Sequence, residues 1–569
     1  MSSATPTAGA TAKAILKRVG LLPLARRISD VFAAPSAYRN SERRFRELKR
    51  QHAQVFRERL SDSGQRQRVA LIVSPSFPEV EIELGLVKGL ELANFVPVVL
   101  IPDRGPEAKL IAQHYKLAAV DEIHQWDEFE GEPDTATAEA VVSRCNSIWD
   151  LLEFEYAGVR VGRLAVSTAL RSTYRGSLDL QVPQDRQLLV DTVAHGIAHT
   201  NAAQKILRRF HPDAALFVDT VYSPMGELWD SCLQSNVDAI QWQQAHKSNG
   251  LLFKRYTLET CIEHPASLSP ESWRFVRDME WTEDHPKQLD RELYGSYASG
   301  DWYSVVGTQF HKSIIDSSHL RGRLGLDPNK RNAFIFPHIL WDATLFWGKC
   351  LFGNFEEWFV ETVRAACAND QVNWVIKIHP ANQRLREGGS FKEPAEVVAM
   401  RKYIGKLPPN IIMIPPESEI STYSLFPIMD YCITVCGTVG IEAARLGVPV
   451  LTGGTGPYDN RGFTVDSSTR EGYLDKVRNI QLIPRLSSAE RELAERFAYS
   501  HFLMRPWLAK SVTLRYLPNT KEFAYQGQVN IKSREDWYAA EDLRDFAEWV
   551  SNPNKPAEFL ARLPQPCRA

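Results

Sequence analysis

Three stretches decide the fold: WVIKIHPAN at residues 374–382, NIIMIPP at 410–416 and YCITVCGTVGIEAARLGVPVLTGGTGPYDNRG at 431–462. Residues 374–378 are a short apolar run of the kind that forms a buried parallel strand, and His379-Pro380 ends it. Residues 410–414 and 430–435 are two more such runs. The last breaks into Cys436-Gly437-Thr438-Val439-Gly440, with a helix predicted at once over 441–446 and a fourth strand over 448–451. That strand ends in Gly453-Gly454-Thr455-Gly456. Strand, loop, helix and strand follow one another at the spacing of βαβ units. Ligands of such sheets bind outside the carboxyl ends of the strands. His379, the Gly437-Thr438-Gly440 turn and the loop containing Gly454 all fall there.

Working outward, NAFIFP at 332–337 starts this sheet and runs into His338-Ile339-Leu340-Trp341-Asp342 and a long aromatic loop, a form suited to ligand contact. Upstream, RVALIVS at 68–74, a helix to residue 93 and VPVVLIP at 96–102 read as another opening βαβ unit. Further buried strands are predicted at 213–219 and 239–242. The expectation is an α/β protein of two Rossmann-like domains. The first spans 68–325 and the second 326–485, with a basic helical extension at 1–67 and a helical segment at 486–569.

Composition narrows the function. A formal net charge of −2 over 569 residues gives no global field for nucleic acid. Eight scattered cysteines form no Cys-x-x-Cys and suggest neither a disulfide framework nor a zinc site, so a reducing, cytoplasmic setting is expected. No run of about 18 apolar residues and no signal-peptide pattern is seen. Residues 1–68 carry 15 Lys+Arg against 5 Asp+Glu. The stretch 13–32 alternates apolar and basic residues, and a very basic helix follows to Leu60. Such a segment reads either as a peripheral element on an anionic membrane surface or as a solvated helix packed on the next domain.

A Gly-rich turn opening a helix presents backbone N–H groups and a positive helix end to an anion. Gly437, Thr438 and Gly440 form such a turn, and Glu442 sits early in the helix, placed to accept ribose hydroxyls. His379 is placed to donate to a phosphate oxygen or to stabilise a leaving nucleotide. Lys377 points the same way along its strand; either it lies in the site or it pairs with a buried carboxylate. Together these residues read as a pocket for a nucleotide phosphate. There is no P-loop, no Gly-x-Ser-x-Gly elbow and no Asp-x-Asp to hold a metal against a diphosphate. His195 and His199 have metal-binding spacing, but Gly196 replaces the glutamate of His-Glu-x-x-His, so no metal is expected. Glu79, Glu81 and Glu83 follow the first strand. They can supply a general base, though capping of the helix dipole is the favoured reading.

At IKIHPAN, TVCGTVGIEAARLGVPVL and FPHILWDATLFWGKCLF the chain resembles bacterial capsule and surface-polysaccharide glycosyltransferases of GT-B type, a group related to Kdo transferases and polysialyltransferases. The resemblance covers about residues 330–470. It implies parallel sheets facing across a cleft and a C-terminal segment crossing back. It also implies a nucleotide-sugar donor, a polysaccharide or lipid-linked glycan acceptor, and no metal or other cofactor. His379 and Thr438 would engage the donor phosphate and Glu442 the ribose. Gly437, Gly440, Lys377, Gly454 and His338 complete the donor-site candidates, and Glu79 stands as a candidate base. The Asp/Glu-Asp/Glu-Gly base motif of polysialyltransferases has only a partial echo in Glu83-Leu84-Gly85. A CDP-polyol phosphotransferase, a nucleotide-sugar 2-epimerase and a non-catalytic scaffold of the same plan are the alternatives.

Overall fold

The computed structural model describes residues 35–60, 67–74, 80–102, 106–517 and 524–560. The first body is built on β1 (Arg68–Val73), β2 (Phe95–Ile101), β3 (Glu122–Gln125), β4 (Ala214–Phe217), β5 (Asp238–Gln244) and β6 (Gly250–Tyr256). The second is built on β7 (Arg331–Phe336), β8 (Val372–Lys377), β9 (Ile411–Ile414), β10 (Tyr431–Thr434) and β11 (Val450–Thr452). After it come β12 (Trp507–Leu508), β13 (Val512–Leu517) and β14 (Ala524–Val529).

The second sheet runs β11-β10-β7-β8-β9, every pair parallel. The first runs β12-β6-β5-β4-β1-β2-β3, parallel except at the β5–β6 and β6–β12 pairs. In each sheet the winding reverses beside the first strand, between β1 and β4 and between β7 and β10. The crevice at such a reversal is where doubly wound sheets take their ligands. Two Rossmann-like bodies with a returning C-terminus make the GT-B-like plan that the sequence implied.

Register fixes what meets at the second crevice. Thr434 of β10 pairs with Phe336 of β7, and Ile335 of β7 pairs with Ile376 of β8. One residue on, Thr434, Phe336 and Lys377 form a row at the carboxyl ends of three adjacent strands.

The apolar core under the second sheet draws on residues from well before β7. Leu289, Leu293 and Tyr297 of helix Asp284–Ser299 pack with Phe334, Val375 and Ile441. The two bodies also touch directly: Tyr174 meets Trp341 edge-on at 5.1 Å, and Ser177 Oγ donates to Glu356 Oε1 over 2.6 Å.

Strand β6 carries Lys254-Arg255 inside its apolar run. Both charges are buried and paired, Lys254 with Glu263 at 2.6 Å and Arg255 with Asp238 at 3.0 Å. The segment after residue 485 is not wholly helical. Helix Ser488–Tyr499 leads to β12 on the edge of the first sheet, then to the β13–β14 hairpin and two further helices. Helix Glu541–Ser551 seats Phe546 against Gly89, where a Cβ would stand 2.6 Å from the ring.

The described part of the basic extension, helix Pro35–Phe56, lies on the first body. Its Phe45 and Phe56 are buried, and Arg44 donates to the buried Glu81 over 2.7 Å. Residues 13–32 lie outside the described residues. Among the described residues no helix is long and apolar enough to cross a membrane.

Candidate active site

A cavity of about 220 Å³ opens at the β7/β10 crevice. The second body contributes His338, Lys377, His379, Gly437, Thr438 and Glu442 to its lining. Opposite them stand His264, Tyr297, Tyr303 and Gln309, from the segment between β6 and β7. Six of the nine residues named from the sequence therefore share one cavity.

Lys377 is buried, and burial, with the charge of Lys312 nearby, pushes its pKa down to about 7. It lines the cavity, and its Nζ donates to the Ile420 carbonyl over 3.1 Å. Among the described residues no carboxylate forms an ion pair with it. A cation held without a counter-charge at a cavity wall is ready to receive an anionic ligand.

His379 is walled by protein but keeps part of its surface on the cavity. Burial, with the charges of His338 and Lys377, pushes it down to about 3, so the ring is neutral. Its Nδ1 accepts from the Ala381 N–H over 3.2 Å, which leaves the proton on Nε2. His379 is thus a fixed neutral donor. His264 repeats the arrangement, with Nδ1 accepting from Ala266 N–H over 3.0 Å and burial pushing it down to about 3. Burial also lowers His338.

Glu442 is buried, and burial pushes its pKa up to about 8. The Tyr297 hydroxyl donates to its Oε2 over 2.7 Å. In its neutral form the carboxyl both donates and accepts, which suits a vicinal diol as well as a carboxylate would.

The Gly-rich turn divides into working parts. Gly437 donates to Thr434 Oγ1 over 3.2 Å, so its N–H is already used. Among the described residues the N–H groups of Thr438 and Val439, at the start of helix Val439–Ala444, have no hydrogen bond. They are the donors available to an oxyanion. Gly440 does not line the cavity: a Cβ there would lie 2.1 Å from the Tyr458 hydroxyl, which itself donates to Gly437 O over 2.6 Å. Gly454 is also elsewhere, where a Cβ would meet Lys349 O at 2.5 Å. These two glycines are spacing devices for neighbouring chain.

Other candidates resolve differently. Glu79 lies outside the described residues. Glu81 pairs with Arg44, and Glu83 accepts from Ser74 Oγ at 2.5 Å and Tyr115 at 2.6 Å. Arg160, Arg171 and Arg175 pair with Asp230, Asp219 and Asp185. At the seam between the bodies Tyr222 donates to Asp342 Oδ1 over 2.6 Å, and the charge of Asp342 bears on His338 and Cys436 at the cavity.

Sequence reading missed His264, Tyr297 and Tyr303. His264 had a signal, a His-Pro pair like that of His379, but no apolar run at the carboxyl end of a parallel strand precedes it. The C-terminal return holds this wall. Buried Arg505 donates to Pro265 O over 3.0 Å, and Tyr303 meets His501 Nε2 at 3.2 Å.

No family model and no curated protein matches the chain. Among solved structures it is similar to the Thermosulfurimonas dismutans KpsC β-Kdo 2,4 transferase, at 15% identity and a TM-score of 0.33, covering 55% of this chain and 84% of that one. The β-Kdo 2,7 transferase of the same KpsC gives 13% and 0.30, over 60% and 88%. A Neisseria meningitidis UDP-GlcNAc 2-epimerase bound to UDP-GlcNAc gives 11% and 0.24, over 76% and 96%. At these values the likenesses carry no weight on function, which rests on the residues of the site.

Proposed function

We propose that the protein is a glycosyltransferase that moves a sugar from a nucleotide-linked donor to a surface polysaccharide or lipid-linked glycan. The observation that carries this is the convergence of Lys377, neutral His379, the Thr438 and Val439 N–H groups and Glu442 on one cavity at the β7/β10 crevice. The donor phosphate would meet the Lys377 ammonium and the two N–H groups. The His379 Nε2–H would donate to the leaving phosphate oxygen, stabilising charge as it develops. Glu442 would take the ribose hydroxyls. The acceptor would enter between the bodies, with Asp342 as the carboxylate to receive its proton. This scheme uses no metal. Exposed Arg43, Arg46, Lys49 and Arg50 on helix Pro35–Phe56 support a peripheral place on an anionic membrane surface.

Calorimetry with CMP, CDP, UDP and GDP, on the wild type and on His379→Ala and Glu442→Ala, tests the pocket. One nucleotide should bind in the micromolar range and be lost in both variants. Product analysis with sugars on that nucleotide then decides the reaction. A glycan extended by sugar alone supports transfer. A transferred phosphate identifies a polyol-phosphate transferase, and epimerised nucleotide sugar without glycan an epimerase. A chain that binds no nucleotide is a scaffold.

A further inference from the structure

The spacing of His195 and His199 finds its third partner in the tertiary structure. Both sit on helix Pro183–Phe210, one turn apart. The segment after β3 lies along this helix: Lys205 Nζ donates to Phe129 O over 3.2 Å, and buried Trp126 meets the His199 ring edge-on at 6.0 Å. That segment delivers Glu130. Its Oε1 stands 3.1 Å from His199 Nε2 and 3.7 Å from His195 Nδ1. One ligand atom from each of the three residues lies within 4.8 Å of the other two.

We propose that Glu130, His195 and His199 form a binding site for a zinc-class divalent cation. Zinc bonds imidazole nitrogen and carboxylate oxygen at about 2.0–2.2 Å, so tetrahedral ligand atoms stand about 3.3 Å apart. The two separations to Glu130 bracket that value, and side-chain rotation of the half-exposed His195 adjusts the third edge, which lies within 4.8 Å. The donor set, two imidazoles and a carboxylate, selects zinc over magnesium or calcium, which take oxygen cages. The Glu130 and His199 side chains are 9% and 12% exposed, whereas His195 is 51% exposed, so the fourth position faces water. None of these residues lines the nucleotide cavity. The cation is a clamp that fastens the segment at 126–130 to the long helix.

The test uses full-length protein without a histidine tag, stripped with chelator and dialysed. Zinc is titrated against a chromophoric chelator, and cobalt(II) is added separately. The expected result is one zinc per chain, a cobalt spectrum of low coordination number, and a zinc-dependent rise in Tm. His195→Ala, at a half-exposed position, should weaken zinc binding about a hundredfold or more and abolish the Tm rise. Glu130→Gln should do the same, while His319→Ala, at an exposed site elsewhere, should bind as wild type. A wild type that binds no zinc, or His195→Ala and Glu130→Gln variants that bind as tightly as wild type, overturns the proposal. Nucleotide affinity should be the same with and without zinc, so this result stands apart from that of the nucleotide pocket.

Discussion

The Tyr297 hydroxyl donates to Oε2 of Glu442 over 2.7 Å, joining helix Asp284–Ser299 to the helix that follows the Gly-rich turn. Both side chains are buried at the cavity, and neither position predicts the other in sequence. This bond places an ionisable carboxyl where donor recognition is proposed, and its protonation state has consequences for stability.

Burial raises the folded pKa of Glu442 to about 8, above its ordinary value of 4.5. Between those values the folded state binds the extra proton, so stability falls as pH rises from about 4.5 to about 8. Glu442→Gln, neutral throughout, should flatten this part of the profile. Tyr297→Phe strips a buried hydrogen bond and should cost about 1–3 kcal/mol. Urea unfolding at pH 5, 6.5 and 8 checks both, and a Glu442→Gln profile as steep as wild type would show that the slope arises elsewhere.

Lys377 sits at about pKa 7 with no carboxylate of the described residues in contact, and an anion bound beside it must raise that value. Nucleotide binding at pH 7.5 should therefore take up protons, giving an observed heat that depends on the ionisation enthalpy of the buffer. Affinity should decline as pH climbs above 7. Lys377→Met should remove both effects and weaken binding at least about tenfold, as loss of a charged hydrogen bond does. Equal heats in phosphate and Tris would count against Lys377 as the phosphate's partner.

Gly440 is small because Tyr458 needs the space. Gly440→Ala should cost about 1–3 kcal/mol by overpacking. Because the displaced hydroxyl supports Gly437, nucleotide affinity should fall as well. Tyr458→Phe should restore part of the stability of Gly440→Ala, since it removes the atom nearest the new Cβ. Denaturant midpoints of the two single variants and the double variant measure this coupling; additive losses would exclude it.

Glu558 is buried, with Lys254 Nζ at 3.4 Å, and accepts from Ser269 N at 2.8 Å and Ser272 Oγ at 2.7 Å. Burial pushes its pKa up, but the charges of Lys254 and Arg505 and the two serine donors outweigh that and hold it below 4.5. Its contribution is present above pH 4.5 and is lost as pH falls through the folded value. Glu558→Gln should cost about 3 kcal/mol at pH 7 and reduce the acid sensitivity of unfolding. An unchanged midpoint at neutral pH would remove Glu558 from the account of how the C-terminal return is fastened.

The sequence by itself determined the central strands and what stands at their ends. Apolar runs at 68–74, 332–337 and 374–378 mark β1, β7 and β8 within a residue or two, because a parallel strand buried on both faces needs an unbroken apolar run. Lys377, His379 and Thr438 follow from that, since strand period and strand end are local properties. What is not local was illegible. Tertiary structure alone brought His264, Tyr297 and Tyr303 against them, gave Gly440 its reason in Tyr458, buried Lys254 and Arg255 in β6, and carried Glu130 to His195 and His199. Periodicity records which face of an element is buried. It does not record which distant backbone buries it, and the electrostatics of this site come from that second choice.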